Sequence, residues 1–392
     1  MKRNKISPIL PVYNRANITM VRGEGVYLIA EDGKRYLDFA AGIAVNSLGH
    51  CHPHLVDALT KQAQTLWHCS NLYRMKGLEL LAERLVEHTF ADTVFMTNSG
   101  AEAVECGIKM IRKHHAAKGK PRPRILTVEG AFHGRTLASI SAGKNARAVE
   151  GYAPLLDGFD QVAFGDLEAL RAAITPETGG ILLETVQGEG GIRTHTKEYM
   201  QAVRRIANEQ GLLLFLDEVQ CGMGRTGTLF AYEPHGIAPD ICAVAKGIGS
   251  GFPMGACLAT EHAASGMNTG SHGGTYGGNP LATAVGNAVL DIVLEDGFMK
   301  NVAYIGEVLK KEMQSLAGEF PQLIEGARGL GLMLGLQMKV PTHEVVAKLR
   351  EGGLLTVATS GDNVIRFVPP LIITEVHIDE AIGIVRKVCK QW

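Results

Sequence analysis

Residues 211–220 read GLLLFLDEVQ, a stretch in which five apolar residues are followed at once by Asp217 and Glu218. An uninterrupted apolar run of this length predicts a strand buried on both faces, as in a parallel sheet. Runs of the same kind occur at residues 94–96, 125–128, 181–183 and 241–245. Helical patterns alternate with them, one over residues 101–115 and another that ends at Gly211. We therefore predict an α/β fold with a mostly parallel sheet covered by helices.

Polar residues follow each of these runs where the strand would end. They are Asn98-Ser99-Gly100, residues 129–133 (EGAFH), Glu184, Asp217-Glu218 and Lys246. In open α/β sheets, ligands bind outside the carboxyl ends of the strands. The sequence therefore predicts that one pocket collects these side chains.

The two ends of the chain have a different pattern from its middle. Residues 22–40 alternate polar and apolar residues around Glu31-Asp32-Gly33, which predicts a hairpin. Helical stretches after residue 281 precede apolar runs at 332–338 and 364–368. We expect a large domain over residues 46–280. Residues 1–45, as an arm and a hairpin, would join residues 281–392 in a smaller α+β domain.

The composition favours small-molecule chemistry over binding to nucleic acid or membranes. The 39 Lys and Arg residues balance 40 Asp and Glu residues, so no overall field attracts polyanions. No apolar run reaches the roughly 20 residues that a membrane helix needs, and the N-terminal region lacks a signal-peptide core. The seven cysteines show no CxxC spacing. We expect reduced thiols and a cytoplasmic location.

Three of the strand-end residues carry distinct chemistry, each with an ordinary alternative. Ser99 to Glu102 (SGAE) has capping-box spacing, which marks either a plain helix start or a phosphate site at a helix N-terminus. Asp217 could be a solvated acid, a base, a metal ligand or the partner of a protonated ring nitrogen, and no convincing ligand set accompanies it. We therefore expect no metal.

Lys246 is the third of these residues. It precedes the glycine-rich GIGSGFPMG, and most lysines are surface charges, whereas a desolvated amine at a strand end can bond to a carbonyl cofactor. The loop lacks the full fingerprint of a dinucleotide site. A phosphate anchor, a buried acid and a strand-end lysine together suit pyridoxal 5′-phosphate.

The chain resembles the class III aminotransferases of fold type I from about Tyr13 to its C-terminus. The matching motifs are NSGAEAVE (98–105), FHGRT (132–136), VQGEGGI (186–192), LDEVQCGMGRTG (216–227), AKGIGSGFPMGA (245–256) and GGTYGGNPLA (273–282). Within the class, AAGIAVNSLGHCHP (40–53) and RFVPPLIIT (366–374) look most like members that act on N-acetylornithine. The resemblance thus implies transfer of its terminal amine to 2-oxoglutarate, a step of arginine biosynthesis.

The resemblance also implies roles for individual residues. Lys246 would bond the cofactor aldehyde and move the proton, and Asp217 would keep the ring nitrogen protonated. The remaining positions implied to contact the cofactor are Ser99, Gly100 and Ala101 at the phosphate, Phe132 on the ring face, Gln220 at the ring hydroxyl, Glu218 and Val219 beside Asp217, and Thr275 from a partner subunit. A homodimer is therefore implied.

Substrate contacts follow from the same resemblance. Arg135 and Tyr13 would bind the carboxylate remote from the reacting amine, although a loop arginine is more often solvated and the tyrosine could simply pack. Glu189 and Arg366 would switch between the two substrates. His133 is expected to be a structural group. Gly274 stands where many relatives acting on acetylornithine have Ser or Thr, a glycine shared with 4-aminobutyrate relatives.

Other functions compete with this expectation. The nearest is another ω-aminotransferase, for 4-aminobutyrate, ornithine, succinylornithine or succinyldiaminopimelate. A racemase or aminomutase is a different reaction on the same fold, which Glu189 and Arg366 disfavour because they suit a two-substrate exchange. A pyridoxal-phosphate-sensing regulator is expected to need a DNA-binding domain, for which the short stretch before the large domain would leave no room.

Overall fold

The computed structural model describes residues 7–392, so residues 1–6 of the expected arm lie outside the described residues. In chain order, the strands are β1 Met20–Glu24, β2 Tyr27–Ala30, β3 Arg35–Asp38, β4 Thr93–Thr97, β5 Arg124–Val128, β6 Phe159–Val162, β7 Thr178–Glu184, β8 Val186–Gln187, β9 Arg193–Thr194, β10 Leu213–Asp217, β11 Ile241–Val244, β12 Gly255–Ala259, β13 Ile324–Leu330, β14 Met333–Met338, β15 Leu354–Leu355, β16 Val357–Ala358 and β17 Val364–Phe367. In chain order, the helices are α1 Ala41–Ala44, α2 Pro53–Ala63, α3 Lys76–Glu87, α4 Gly100–Ala117, α5 Leu137–Gly143, α6 Ala146–Val149, α7 Leu167–Ala172, α8 Lys197–Gln210, α9 Glu261–Ala264, α10 Pro280–Val293, α11 Phe298–Glu319, α12 Thr342–Glu351 and α13 Glu375–Lys390.

The central sheet has the strand order β4-β12-β11-β10-β7-β5-β6. The five apolar runs form β4, β5, β7, β10 and β11, which confirms the predicted α/β class with its mostly parallel sheet. Strand β12 is antiparallel to both β11 and β4. Its residues, GACLA, include a glycine and two alanines, so its apolar signal is weak.

Helices cover this sheet and begin and end where local signals place them. Ser99 caps α4, because its hydroxyl accepts a hydrogen bond from the Glu102 N–H at 3.3 Å. Helix α8 ends at Gly211, which has the positive φ of 63° that a glycine C-cap adopts readily. Because β5, β6, β7, β10 and β11 run parallel, their carboxyl ends lie at the same edge of the sheet.

The two ends of the chain share a second core. Strand β3, from the N-terminal hairpin, pairs in parallel with β15 from the C-terminal region. Val26, Leu37 and Phe39 pack in the same apolar cluster as residues of α11, β14, β17 and α13. Ala282, Val289 and Val293 of helix α10 instead belong to the apolar cluster that contains residues of the central sheet. Within residues 7–392, no helix is both long and apolar enough to cross a membrane.

Candidate active site

A cavity of about 350 Å³ lies at the carboxyl ends of the central strands. Its walls come from the segments that follow β4, β5, β7, β10 and β11, as the strand-end residues predict. The predicted residues that line it are Ser99, Gly100, Ala101, Phe132, Asp217, Val219, Gln220 and Lys246. The sheet thus brings together residues that are widely separated in the chain.

The N-terminus of α4 forms one end of the cavity. The first N–H groups of a helix have no partner inside the helix, and the helix dipole favours an anion there. A Cβ added to Gly100 would lie only 2.8 Å from Cγ1 of Val219, so glycine permits this close packing. The lining by Ser99, Gly100 and Ala101 therefore suits a phosphate group.

Asp217 ends β10 on the cavity wall and is held by His133. Its Oδ2 lies 2.8 Å from Nδ1 of His133, and both side chains are almost fully buried. Because Asp217 offers only acceptor atoms when ionised, Nδ1 of His133 is the donor. The Val219 N–H donates to the other oxygen at 3.0 Å. A fixed carboxylate of this kind suits the protonated nitrogen of an aromatic ring.

Lys246 follows β11 and lines the cavity in a left-handed backbone conformation, with φ of 48°. Burial lowers the pKa of its amine to about 8, and the charge of Arg366 adds to this fall. The carboxylates of Asp217, Glu184 and Glu189 oppose it. Lys246 is therefore neutral in part of the molecules near neutral pH, as a nucleophilic amine must be.

These features fit pyridoxal 5′-phosphate. The α4 N-terminus suits the phosphate, Asp217 the ring nitrogen and the Lys246 amine the aldehyde. Nε2 of His133 is buried and, in the part of the chain that the structure describes, has no hydrogen-bond partner. The described residues contain no group of three or more His, Cys, Asp or Glu side chains placed to hold a metal.

Arg366 and Glu189 form an ion pair close to the cavity. Nη2 of Arg366, on β17, lies 2.6 Å from Oε1 of Glu189 in the loop between β8 and β9. The Arg366 side chain is 1% exposed and that of Glu189 is 20% exposed. Nη1 of Arg366 also donates to Oε1 of Gln220 at 3.2 Å, and Gln220 lines the cavity. The structure thus brings together the two residues expected to act as a switch.

Other predicted site residues lie outside the cavity lining. Glu218 points away, because its carboxylate accepts hydrogen bonds from the Ala231 and Tyr232 N–H groups at 2.9 and 3.0 Å. Tyr13 is 74% exposed. The exposed residues Arg135, Gly274 and Thr275 are likewise not in the lining of this chain's own cavity. The guanidinium of Arg135 lies 5.4 Å from the centre of the Phe132 ring.

Glu184 is a cavity residue for which the sequence predicted no role. Its Oε1 accepts from the Phe132 N–H at 2.8 Å, and its Oε2 accepts from the Gly188 N–H at 3.0 Å. Burial raises the pKa of Glu184 to about 7, and the nearby Asp217 charge contributes. A carboxylate at the end of a fully buried strand was the available signal. Through these two hydrogen bonds, Glu184 links the segment that carries Phe132 to the loop that carries Glu189.

Comparisons with known proteins identify the family to which this chain is similar. A family model described as aminotransferase class-III matches residues 11–389. The acetylornithine aminotransferase of Brucella melitensis is 58% identical over 378 residues, which cover 96% of this chain and 94% of the relative.

Solved structures extend the comparison. The N-acetylornithine aminotransferase of Stenotrophomonas maltophilia is similar at a TM-score of 0.85 and 35% identity, over 97% of each chain. An amine transaminase of an uncultivated Pseudomonas species, in its pyridoxal-phosphate-bound form, is similar at a TM-score of 0.91 and 26% identity, covering 100% of this chain and 99% of that one. Because the family model and the relative each span nearly the whole chain, this protein belongs to the class III aminotransferases.

Proposed function

We propose that this chain transfers the terminal amino group of N-acetylornithine to 2-oxoglutarate, giving N-acetylglutamate 5-semialdehyde and glutamate, with pyridoxal 5′-phosphate as cofactor. The observation that carries the proposal is the ion pair between Arg366 and Glu189 beside the cavity. A masked arginine suits a donor with no charge next to its reacting amine. The similarity to acetylornithine aminotransferases supports the same substrate. A cytoplasmic setting and a place in arginine biosynthesis belong to this proposal.

The residues that would hold the cofactor follow from the cavity walls. Ser99, Gly100 and Ala101 would bind the phosphate, Phe132 and Val219 would contact the ring, and Asp217 would hold its nitrogen. When bound, pyridoxal phosphate accepts the electron pair left on the substrate carbon and carries the amino group between the two substrates. Gln220 would bond the ring hydroxyl while also accepting from Arg366.

Lys246 would do two things in turn. Its amine, with a pKa lowered to about 8, would bind the cofactor covalently in the resting enzyme. Once substrate has displaced it, Nζ would take the proton from the carbon that bears the reacting amine. Among the described residues that line the cavity, the other basic side chain is His133, and its Nδ1 is hydrogen-bonded to Asp217. Lys246 is therefore the side chain that would move this proton.

Two arginines would handle the carboxylates. Arg135, helped by Tyr13, would bind the carboxylate at the remote end of either substrate, with a bidentate geometry available to its guanidinium. Arg366 would bind the second carboxylate of 2-oxoglutarate or glutamate, once Glu189 leaves it. With N-acetylornithine, the Glu189 carboxylate would stay in place.

A homodimer would complete the site. Thr275 is exposed here, and so are its neighbour Tyr276, at 62%, and Leu72, at 85%. Leu72 follows Asn71, whose amide donates to the Gly274 carbonyl at 3.2 Å. Apolar surface of this kind is typical of an interface. We expect Thr275 of the partner subunit to contact the phosphate.

Hybrid dimers test this arrangement. Thr275→Ala and Lys246→Ala subunits should each bind or use the cofactor poorly as homodimers. In a mixed dimer, one site would combine an intact Lys246 with an intact Thr275 of the partner subunit. We expect mixing to restore activity at limiting cofactor. No restoration would mean that Thr275 serves its own subunit or no site.

A half-reaction screen tests the substrate. The cofactor-loaded protein is mixed separately with N-acetylornithine, ornithine, succinylornithine and 4-aminobutyrate, and the loss of the resting cofactor absorbance is followed. N-acetylornithine should react fastest at equal subsaturating concentration. Faster reaction with ornithine or 4-aminobutyrate would mean that another ω-amine is the donor. Gly274, a glycine shared with 4-aminobutyrate relatives, would be consistent with that outcome. The Lys246→Ala protein is the matched control and should show no transfer.

A further inference from the structure

The carboxylate of Glu189 has a second partner besides Arg366. Its Oε1 pairs with Nη2 of Arg366 at 2.6 Å, and its Oε2 accepts a hydrogen bond from the hydroxyl of Ser360 at 3.1 Å. Ser360 lies in the loop between β16 and β17, the strand that carries Arg366. The two oxygens of one carboxylate are thus held from two directions.

The backbone keeps these segments in contact. The Gly361 N–H donates to the Glu189 carbonyl oxygen at 2.9 Å. A Cβ added to Gly361 would lie 3.0 Å from that oxygen and 3.0 Å from Cα of Gly190, so any side chain here would push the segments apart. The close approach places the Ser360 hydroxyl within reach of the Glu189 side chain.

Asp362 anchors the same loop without using Glu189. Its carboxylate accepts from Nη2 of Arg193 at 2.7 Å and from Nη2 of Arg328 at 2.5 Å. Nε of Arg328 donates in turn to the Gly191 carbonyl at 2.7 Å. Because these bonds do not involve the Glu189 side chain, the loop can stay in place when that side chain moves.

We propose that Ser360 is a specificity-determining residue, whose hydroxyl holds the Glu189 carboxylate over Arg366 and so sets how readily Arg366 accepts a second carboxylate. The inference rests on the proposed switch between Glu189 and Arg366. Ser360 is exposed and is not among the residues that line the cavity, so it acts through Glu189. It is a positioning residue for the switch.

The remaining contacts of Arg366 explain why a single hydrogen bond from Ser360 to Glu189 should affect the binding of a ligand carboxylate to Arg366. Besides Glu189, its guanidinium contacts Oε1 of Gln220 at 3.2 Å and the Ala358 carbonyl at 3.4 Å. Its Nε has no partner in the part of the chain that the structure describes. A buried cation with so few acceptors binds whichever carboxylate is offered. Glu189 and a ligand carboxylate therefore compete for it. Because Ser360 is exposed, its hydrogen bond to Glu189 should have ordinary net strength, and losing it should shift that competition about fivefold.

Binding of unreactive probes tests the inference without turnover. Glutarate has the two carboxylates of 2-oxoglutarate but no keto group, and N-acetylnorvaline has the single carboxylate of N-acetylornithine but no terminal amine. Their dissociation constants are measured by calorimetry on the cofactor-loaded wild type, Ser360→Ala, Ser360→Thr and Glu189→Ala proteins. We expect Ser360→Ala to bind glutarate about fivefold more tightly. Its affinity for N-acetylnorvaline should not change, and Ser360→Thr should match the wild type.

The outcomes separate this inference from the proposed function. If Glu189→Ala binds glutarate more tightly and Ser360→Ala does not, the switch stands and the role of Ser360 is wrong. If neither variant changes glutarate affinity, the switch itself fails and the inference fails with it. If Ser360→Thr behaves like Ser360→Ala, the hydroxyl is not the cause, and the inference is overturned as well.

Discussion

Asp217 and Glu218 are adjacent in the chain, and their carboxylates lie on opposite sides of the end of β10. Asp217 lines the cavity and is held by His133 at 2.8 Å. Glu218 is fully buried on the other side, where Oε1 accepts from Thr185 and Oε2 accepts from the Ala231 N–H. Burial raises the pKa of Glu218 to about 7, although its four hydrogen-bond donors oppose the rise. Asp217 therefore faces the cavity, whereas Glu218 joins the end of β10 to the segments that carry Thr185 and Ala231.

Glu218→Gln should destabilise the protein without altering the cavity lining. Both carboxylate oxygens accept hydrogen bonds, so the amide nitrogen of glutamine would face donors whichever way the side chain turns. Leaving buried donors unpaired should lower the free energy of unfolding by about 1 to 3 kcal/mol. Denaturant unfolding measures this change. Glu209→Gln, at an exposed position of α8, is the control and should change it by less than about 0.5 kcal/mol. Equal stability of the two variants would contradict the account of Glu218.

Lys246→Ala should fold, and it should lose transamination because the amine that binds the cofactor and moves the proton is gone. Circular dichroism checks the fold. Borohydride reduction of the wild-type holoenzyme, followed by peptide mapping, should place the cofactor label on Lys246. A label on another lysine would overturn the assignment of the site.

The rate at which the cofactor attaches to the apoenzyme should rise with pH, with a midpoint near 8. The neutral amine is the nucleophile, and burial lowers the pKa of Lys246 to about 8. Because the Arg366 charge contributes to this fall, Arg366→Gln should move the midpoint to higher pH. Stopped-flow absorbance between about pH 6.5 and 11, a range that includes the lowered and the ordinary pKa of lysine, measures both. Arg147→Gln, an exposed control, should leave the midpoint unchanged, and an equal shift in it would rule out the specific effect of Arg366.

Arg135→Ala should weaken the binding of both N-acetylornithine and 2-oxoglutarate. One guanidinium would serve the remote carboxylate of each, and losing a charged bidentate contact should cost about 1.5 to 3 kcal/mol per substrate. Arg135→Lys should recover part of the lost affinity because it keeps the positive charge. The recovery should be incomplete because lysine lacks the fork geometry of a guanidinium. Steady-state kinetics with each substrate varied measure the two effects. A change for one substrate alone would disprove a shared site.

Local patterns predicted the framework of the site well. The run that ends in Asp217 is a fully buried strand, and Ser99 caps α4 through the Glu102 N–H as the capping box requires. Glu218 comes directly after the last residue of β10, and its contacts with Thr185 and Ala231 depend on segments that the local pattern does not place.

Contacts between distant segments could not be predicted in this way. The role of Glu184 depends on which backbone N–H groups face it, and those of Phe132 and Gly188 come from two different loops. Nothing in the local sequence indicates that Ser360 meets Glu189. The pairing of Glu189 with Arg366 was implied by the family resemblance, not by spacing or composition.

The most direct test of the account concerns this pair. Single-turnover rates are measured for N-acetylornithine and for glutamate with the wild type, Glu189→Ala and Arg366→Ala proteins. Removing Glu189 leaves the buried guanidinium of Arg366 without its carboxylate partner, so Arg366 can bind the second carboxylate of glutamate. The rate with glutamate should therefore rise relative to the rate with N-acetylornithine, by about tenfold or more. Arg366→Ala should shift the ratio the other way, because glutamate loses the partner of its second carboxylate. If either variant left the ratio of the two rates unchanged, Glu189 and Arg366 would be a structural ion pair, and the account of how one site serves both substrates would be wrong.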